Sequence, residues 1–180
     1  FWQHGYEATS LSDLVEATGA KAPTLYAEFT NKEGLFRAVL DRYISRFAAK
    51  HEAQLFCEEK TVEQALQDYF CAVATCFTSK DTPAGCFMIN TSATLAASSK
   101  EIANTVKSRH AMQEETLSTF LAQRQQRGEI PAHCRPQELA QYLSCILQGM
   151  SISAREGATL EKLQGITQTT LRLWPELLKL

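Results

Sequence analysis

Thr9-Ser10-Leu11-Ser12-Asp13-Leu14-Val15-Glu16-Ala17-Thr18-Gly19-Ala20-Lys21-Ala22-Pro23-Thr24-Leu25-Tyr26-Ala27-Glu28-Phe29 reads as two short helices joined by a tight turn. Ser10 with Asp13 three residues later has the pattern of a capping box, which gives the first unpaired N–H groups of a helix their acceptors. That helix runs to about Ala17 and stops at Gly19, the residue type that takes a left-handed conformation without strain. Pro23 suits the first turn of a second helix, Thr24 to Phe29, because the N–H it lacks has no partner there anyway. Two helices at this spacing have the form of a helix-turn-helix. The second helix then points outward, and its N-terminal residues can meet base edges in a major groove.

Working outward, Asn31 caps a helix from Lys32 to about Phe56, with Leu35, Phe36, Val39, Leu40, Tyr43, Ile44 and Phe47 on one stripe. At 1.5 Å per residue it would span roughly 35 Å and connect two lobes. Upstream, a short apolar helix ends near Trp2. Downstream, Thr61 with Gln64 opens a helix carrying Val62, Leu66, Tyr69, Val73 and Cys76, and Lys80-Asp81-Thr82-Pro83 breaks the chain. A shorter helix starts near Cys86. Ser98 or Ser99 starts a long one to Arg127, closed by Gly128 and Pro131, and two more follow over Pro136 to Arg155 and from Leu160 to Leu173 or beyond. Apolar residues recur at three and four throughout, so the fold class is all-α. A helix-turn-helix domain is expected over residues 1–48, and a helical effector-binding and dimerisation domain over 49–180.

Composition sets limits on this reading. With 180 residues, 44% of them hydrophobic, the chain can bury one good core and is marginal for two. No apolar run approaches the roughly 18 to 20 residues that cross a bilayer. Net charge is only −2. In the first fifty residues Lys21, Lys32, Arg37, Arg42, Arg46 and Lys50 balance Glu7, Asp13, Glu16, Glu28, Glu33 and Asp41. Any affinity for a polyanion must therefore come from particular residues and not from bulk charge. The six cysteines, at 57, 71, 76, 86, 134 and 145, form no CxxC pair and scatter through helical segments. That scatter favours reduced thiols and a cytoplasmic location.

Gly5-Tyr6-x-x-Thr9-Ser10-Leu11-x-Asp13-Leu14 and Gly19-Ala20-Lys21-x-x-Thr24-Leu25-Tyr26-x-x-Phe29-x-Asn31-Lys32-Glu33-x-Leu35 closely resemble the DNA-binding domain of TetR-family repressors. The resemblance covers roughly residues 1 to 48 and implies a first helix and a basic arm upstream of Phe1. It also implies that Thr9 or Ser10, Tyr26 and Lys32 hold phosphates of double-stranded operator DNA, while Lys21, Ala22, Pro23, Thr24 and Ala27 face the groove. Thr24 and Tyr26 have hydroxyls to donate, and Lys32 has an ammonium for the backbone. Ala22, Pro23 and Ala27 offer only apolar contact, for example to a thymine methyl. Two positions depart from the family pattern: Lys21 stands where a capping Ser is common, and Glu28 where an aromatic is common.

In this family the remaining helices enclose an effector, and the last two pair with a second subunit into a four-helix bundle. Leu139, Tyr142, Leu143, Ile146, Leu147 and Met150, with the small Gly149, Ser151 and Ser153, are compatible with such a homodimer. The run Pro83 to Met88, the cysteine content and the run Gln148 to Gly157 look like those of a copper-responsive member of the family. That resemblance implies copper(I) as effector, held by soft ligands drawn from Cys76, Cys86, Met88, His110, Met112 and Cys145. No two of these form a local chelate, so the site would be assembled across helices, with Cys76, His110 and Cys145 reaching a shared interior. Two other effectors stay open. Cys86 at a helix start could be a thiol of lowered pKa that senses oxidants, and Phe70, Phe77 and Phe87 could line an apolar pocket for an organic molecule. Cys57 and Cys134 read as incidental.

Two other function classes compete with this one. A helical-bundle metalloenzyme needs Glu-x-x-His pairs, and none of His4, His51, His110 or His133 has Glu three residues before it. A helical adaptor that does not bind DNA is compatible with the neutral front segment and with Glu28 but ranks below a repressor, and salt-dependent duplex binding separates the two.

Overall fold

The structure is a computed structural model that describes residues 1–94 and 100–179. Among the described residues every regular element is helical. Helix α1 is the single turn Gly5–Ala8, α2 is Leu11–Thr18 and α3 is Ala22–Phe29. Helix α4, Lys32–Tyr43, continues through a π-helical turn, Ile44–Ala48, into the short α5, Ala49–Glu52. The remaining helices are α6 (Val62–Phe77), α7 (Phe87–Thr94), α8 (Lys100–Gln126), α9 (Pro136–Arg155) and α10 (Leu160–Leu177).

The predicted caps are present. Ser10 Oγ accepts from Asp13 N at 3.1 Å while Ser10 N donates to the Asp13 carboxylate at 2.6 Å, and Thr61 with Gln64 repeats the arrangement on α6. Asn31 accepts from Gly34 N at 2.8 Å. Gly19 ends α2 at φ +67°. The expected start of the long helix at Ser98 or Ser99 lies outside the described residues. One turn was not anticipated: Gly5–Ala8 is helical.

The helix expected from Lys32 to Phe56 is neither uniform nor that long. A π turn interrupts it, and it ends at Glu52. Beyond that point Gln54 N donates to His51 O and Leu55 N to Glu52 O, both at 3.0 Å. These tighter i→i+3 bonds turn Leu55 into the core, where it is fully buried, and leave Phe56 exposed at the rim against Phe120.

Two apolar clusters organise the chain, and α4 belongs to both. Leu35 packs with Leu14 and Leu25 in a small cluster beneath α2 and α3. One residue later, Phe36, and then Leu40 and Tyr43, enter the large cluster that runs through α6 to α10 and closes on Trp174. Contacts also cross between the two regions. Arg109 pairs with Asp41 at 2.6 Å, and the Trp2 ring sits against Tyr43, Phe47 and Phe87.

Candidate nucleic-acid interface and effector site

The exposed end of the α2–turn–α3 unit carries most of the residues predicted to meet DNA. Lys21, Pro23, Thr24 and Ala27 are exposed on α3 and its N-cap, Ala22 is half-buried, and Ser10 is exposed at the start of α2. Lys21 caps α3 without a side-chain bond; its carbonyl accepts from Thr24 N at 3.0 Å and Leu25 N at 3.1 Å, and Pro23 has no N–H to offer. Tyr26 and Phe29 are half-buried against the small cluster. The Lys32 ammonium lies 4.5 Å over the Tyr6 ring, on the side of α4 nearest this unit. Thr9 departs from the prediction: it is buried, and its hydroxyl donates to the Gly5 carbonyl at 2.7 Å, so Ser10 is the member of the pair open to a phosphate. Glu28, which stands where the family commonly has an aromatic, is exposed on α3.

Gly34 was not singled out from the sequence and is a critical position for this geometry. A Cβ there would lie 2.0 Å from the backbone oxygen of Phe29, so only glycine lets α4 start this close behind α3. The turn between them bends through Thr30 at φ +69°, a left-handed value for a β-branched residue. The sequence signal was a glycine in the first turn of a helix, where glycine costs about 1 kcal/mol against alanine.

In the remainder of the chain the structure separates the predicted effector residues. Cys76, Cys86 and Met88 line one narrow cavity of about 20 Å³, together with His51, Tyr43 and Tyr69. Burial pushes the Cys86 thiol up, and its Sγ receives the Tyr43 hydroxyl at 3.4 Å. This corrects the reading of Cys86 as a thiol of lowered pKa, since desolvation outweighs the helix start. Burial likewise raises Cys76 to about 11. Cys145 does not reach the interior: it is exposed on the outer face of α9 with Gly149 and Ile152, while Leu139, Leu143, Leu147 and Met150 take the inner face. Met112 is 56% exposed. His110 is half-buried with an unpartnered Nε2 and lines none of the cavities described here.

Phe70, Phe77 and Phe87 are core residues, 1%, 5% and 0% exposed, so the expected organic pocket between them is filled by their own packing. The roomy cavity, about 680 Å³ and open to solvent, lies elsewhere, between the π turn with α5 on one side and α6 on the other. Arg46, Phe47, Lys50 and Thr82 line it together with Cys71 and Cys76. Only Cys76 of these was predicted. The available signal was Arg46 and Lys50 four apart on one helix, beside Phe47.

Residues 1–39 match the sequence pattern of bacterial regulatory proteins of the tetR family, and residues 62–169 match the tetracyclin repressor-like C-terminal domain. The chain belongs to the TetR family. Among its TetR-family relatives, the HTH-type transcriptional repressor ComR of Escherichia coli (strain K12) is 79% identical over 179 residues, 99% of this chain and 85% of ComR. The repressor BdcR of the same strain is 28% identical, covering 91% of this chain and 77% of BdcR. A cysteine-substituted form of the TetR-family regulator CifR, solved with a 26-base-pair double-stranded operator DNA, superposes with a TM-score of 0.92 at 26% identity, covering 97% of this chain and 91% of CifR. TetR-family proteins are transcriptional regulators, and the chain is a regulator and not an enzyme. Among the described residues no TetR-family helix here is long and apolar enough to cross a membrane.

Proposed function

We propose that this chain is a transcriptional repressor that binds double-stranded operator DNA as a homodimer and lets go when an effector occupies its helical region. The observation that supports the reading is the exposure of Lys21, Pro23, Thr24 and Ala27 at the start of α3; in this reading they meet the groove, while Ser10, Tyr26 and Lys32 hold phosphates. The likeness to CifR, a regulator solved on operator DNA, supports it. Residues 1–48 serve as the DNA-binding part and 49–180 as the sensing and pairing part. The dimer would form on the outer faces of α9 and α10, where Ile152 and Leu173 are 49% and 46% exposed beside Cys145, Gly149 and Gly165.

The effector in this reading is copper(I). Its support is the donor set at the narrow cavity, two thiols and a thioether from Cys76, Cys86 and Met88, which suits a soft monovalent cation. Among the described residues no group of three His, Cys, Asp or Glu side chains that could hold a metal ion is brought together, and this reading therefore counts the Met88 thioether with the two thiols. His110, Met112 and Cys145 stand apart from it. Tyr43 of the helix that begins at Lys32 touches Cys86, and a cation bound there acts on the DNA-binding unit only by favouring the state with lower operator affinity.

The test is an anaerobic titration with cuprous ion under a competing chelator, following release of the chain's own promoter DNA. Stoichiometric release that is lost in Cys86→Ser and Cys76→Ser and kept in Cys145→Ser supports the reading. DNA binding indifferent to copper overturns the copper assignment and leaves an oxidant or an organic molecule as effector.

A further inference from the structure

The cavity between the π turn and α6 is built for a different charge from the one just discussed. Its lining residues include Arg46 and Lys50 and no carboxylate. Both cations are exposed, and among the described residues neither takes part in an ion pair. They sit four residues apart, one turn of helix, and so point to the same side. The Arg46 guanidinium stands 5.5 Å from the Phe47 ring centre. Across from the cations α6 contributes Cys71, Ala72, Thr75 and Cys76, with the Phe47 ring beside them, so the wall is mixed, with apolar surface next to hydroxyls. Thr82 adds a buried hydroxyl that has no hydrogen-bond partner in the folded chain. A cavity of 680 Å³ is within the range of about 300–1,000 Å³ that small-molecule sites occupy.

We infer that this cavity binds a small organic anion with a flat apolar body, an aromatic carboxylate, its charge met by Arg46 and Lys50 and its ring laid between Phe47 and the α6 wall. A cuprous ion is the wrong guest here, because the two cations repel it. A phosphate backbone is also the wrong guest: Arg46 lies fourteen residues beyond Lys32, about 21 Å along the helix from the DNA-facing end, and the site is concave. The cavity is therefore a second ligand site, separate from the sulfur-lined one although Cys76 and His51 border both. Its floor is the π turn that interrupts the helix begun at Lys32, so an occupant fixes the segment through which the two regions are joined. An effect of the occupant on operator binding rests on the repressor reading above, whereas binding itself does not.

Isothermal titration of the full chain with 2-naphthoate and with the neutral 2-naphthamide tests this. Naphthoate is expected to bind at least tenfold more tightly than the amide, and the doubly substituted Arg46→Gln, Lys50→Gln chain is expected to lose that preference while melting at the wild-type temperature. Cys86→Ser, which removes a thiol of the narrow cavity only, is expected to keep it. Equal affinity for acid and amide, no binding of either, or naphthoate binding untouched by the double substitution would each overturn the site. Fluorescence anisotropy with promoter DNA is read separately: a chain that binds naphthoate but never DNA sinks the repressor reading and leaves the anion site standing.

Discussion

The Trp2 indole N–H donates to the Gly85 carbonyl at 3.2 Å, tying the residue before α1 to the turn that leads into Cys86 and α7. Its ring meets Tyr43 edge-on at 4.9 Å and lies at 5.6 Å from Phe47 and 6.3 Å from Phe87. One side chain therefore touches the connecting helix, the π turn and the sulfur-bearing α7 at once.

Replacing Trp2 by Phe keeps an aromatic ring and removes the donor. The expected loss is about 1 kcal/mol, the usual net worth of one hydrogen bond, measured by urea unfolding. If copper is the effector proposed above, its release of operator should also weaken, because the tie joins the segment before α1 to the turn leading into α7. Unchanged stability with unchanged release would show that Trp2 only fills space.

Gly34→Ala should be far worse than its size suggests. The added methyl would sit 2.0 Å from the Phe29 carbonyl oxygen, and a backbone atom cannot swing aside as a side chain can. The start of α4 must move, and the turn through Thr30 with it. Operator affinity should fall at least tenfold while most of the circular dichroism signal of the helices survives, since the large cluster is untouched.

Lys32→Gln should weaken DNA binding about equally for operator and random duplex, and reduce the slope of log affinity against log salt by about one. A phosphate contact carries no sequence information, so a change in sequence preference would contradict the role given to Lys32.

The α2 capping box carries a pH signature. Hydrogen bonds from Ser10 hold the Asp13 carboxyl below the usual carboxylate range. A folded-state value below the unfolded one means that the carboxylate stabilises the fold above the ordinary value of about 4, and that this contribution is lost as pH falls through the lowered value. NMR titration should place Asp13 low in the native chain and only part of the way back in Ser10→Ala, which keeps the backbone N–H that contributes most; the lost Ser10 cap should cost about 1 kcal/mol.

How far the sequence could be read depended on how local each feature is. Ser10 with Asp13, Gly19, Asn31 and Thr61 with Gln64 act within three or four residues, and each was legible as a cap or a stop. The long helix from Lys32 was legible as helix but not as one with a π turn, because that turn and the end at Glu52 depend on where Leu55 and Phe47 find packing partners. Cys145 was misplaced for a related reason: α9 has apolar residues around much of its circumference, so periodicity alone did not say which side the core takes. Phe70, Phe77 and Phe87 looked like pocket walls only because nothing in a sequence separates an aromatic that lines a space from one that fills it. The Arg46 and Lys50 pair was hidden by the balanced charge of the front segment, since only the fold brings them to a cavity whose lining holds no carboxylate.

The most direct test of the account is fluorescence anisotropy of the full chain on its own upstream promoter duplex across a series of salt concentrations, with a shuffled duplex as control. The account predicts one dimer per operator, affinity that falls steeply as salt rises, and a preference for the promoter that Thr24→Ala and Lys21→Ala diminish. Binding that is absent at low salt, or that is equal for promoter and shuffled DNA and indifferent to changes on α3, would contradict it.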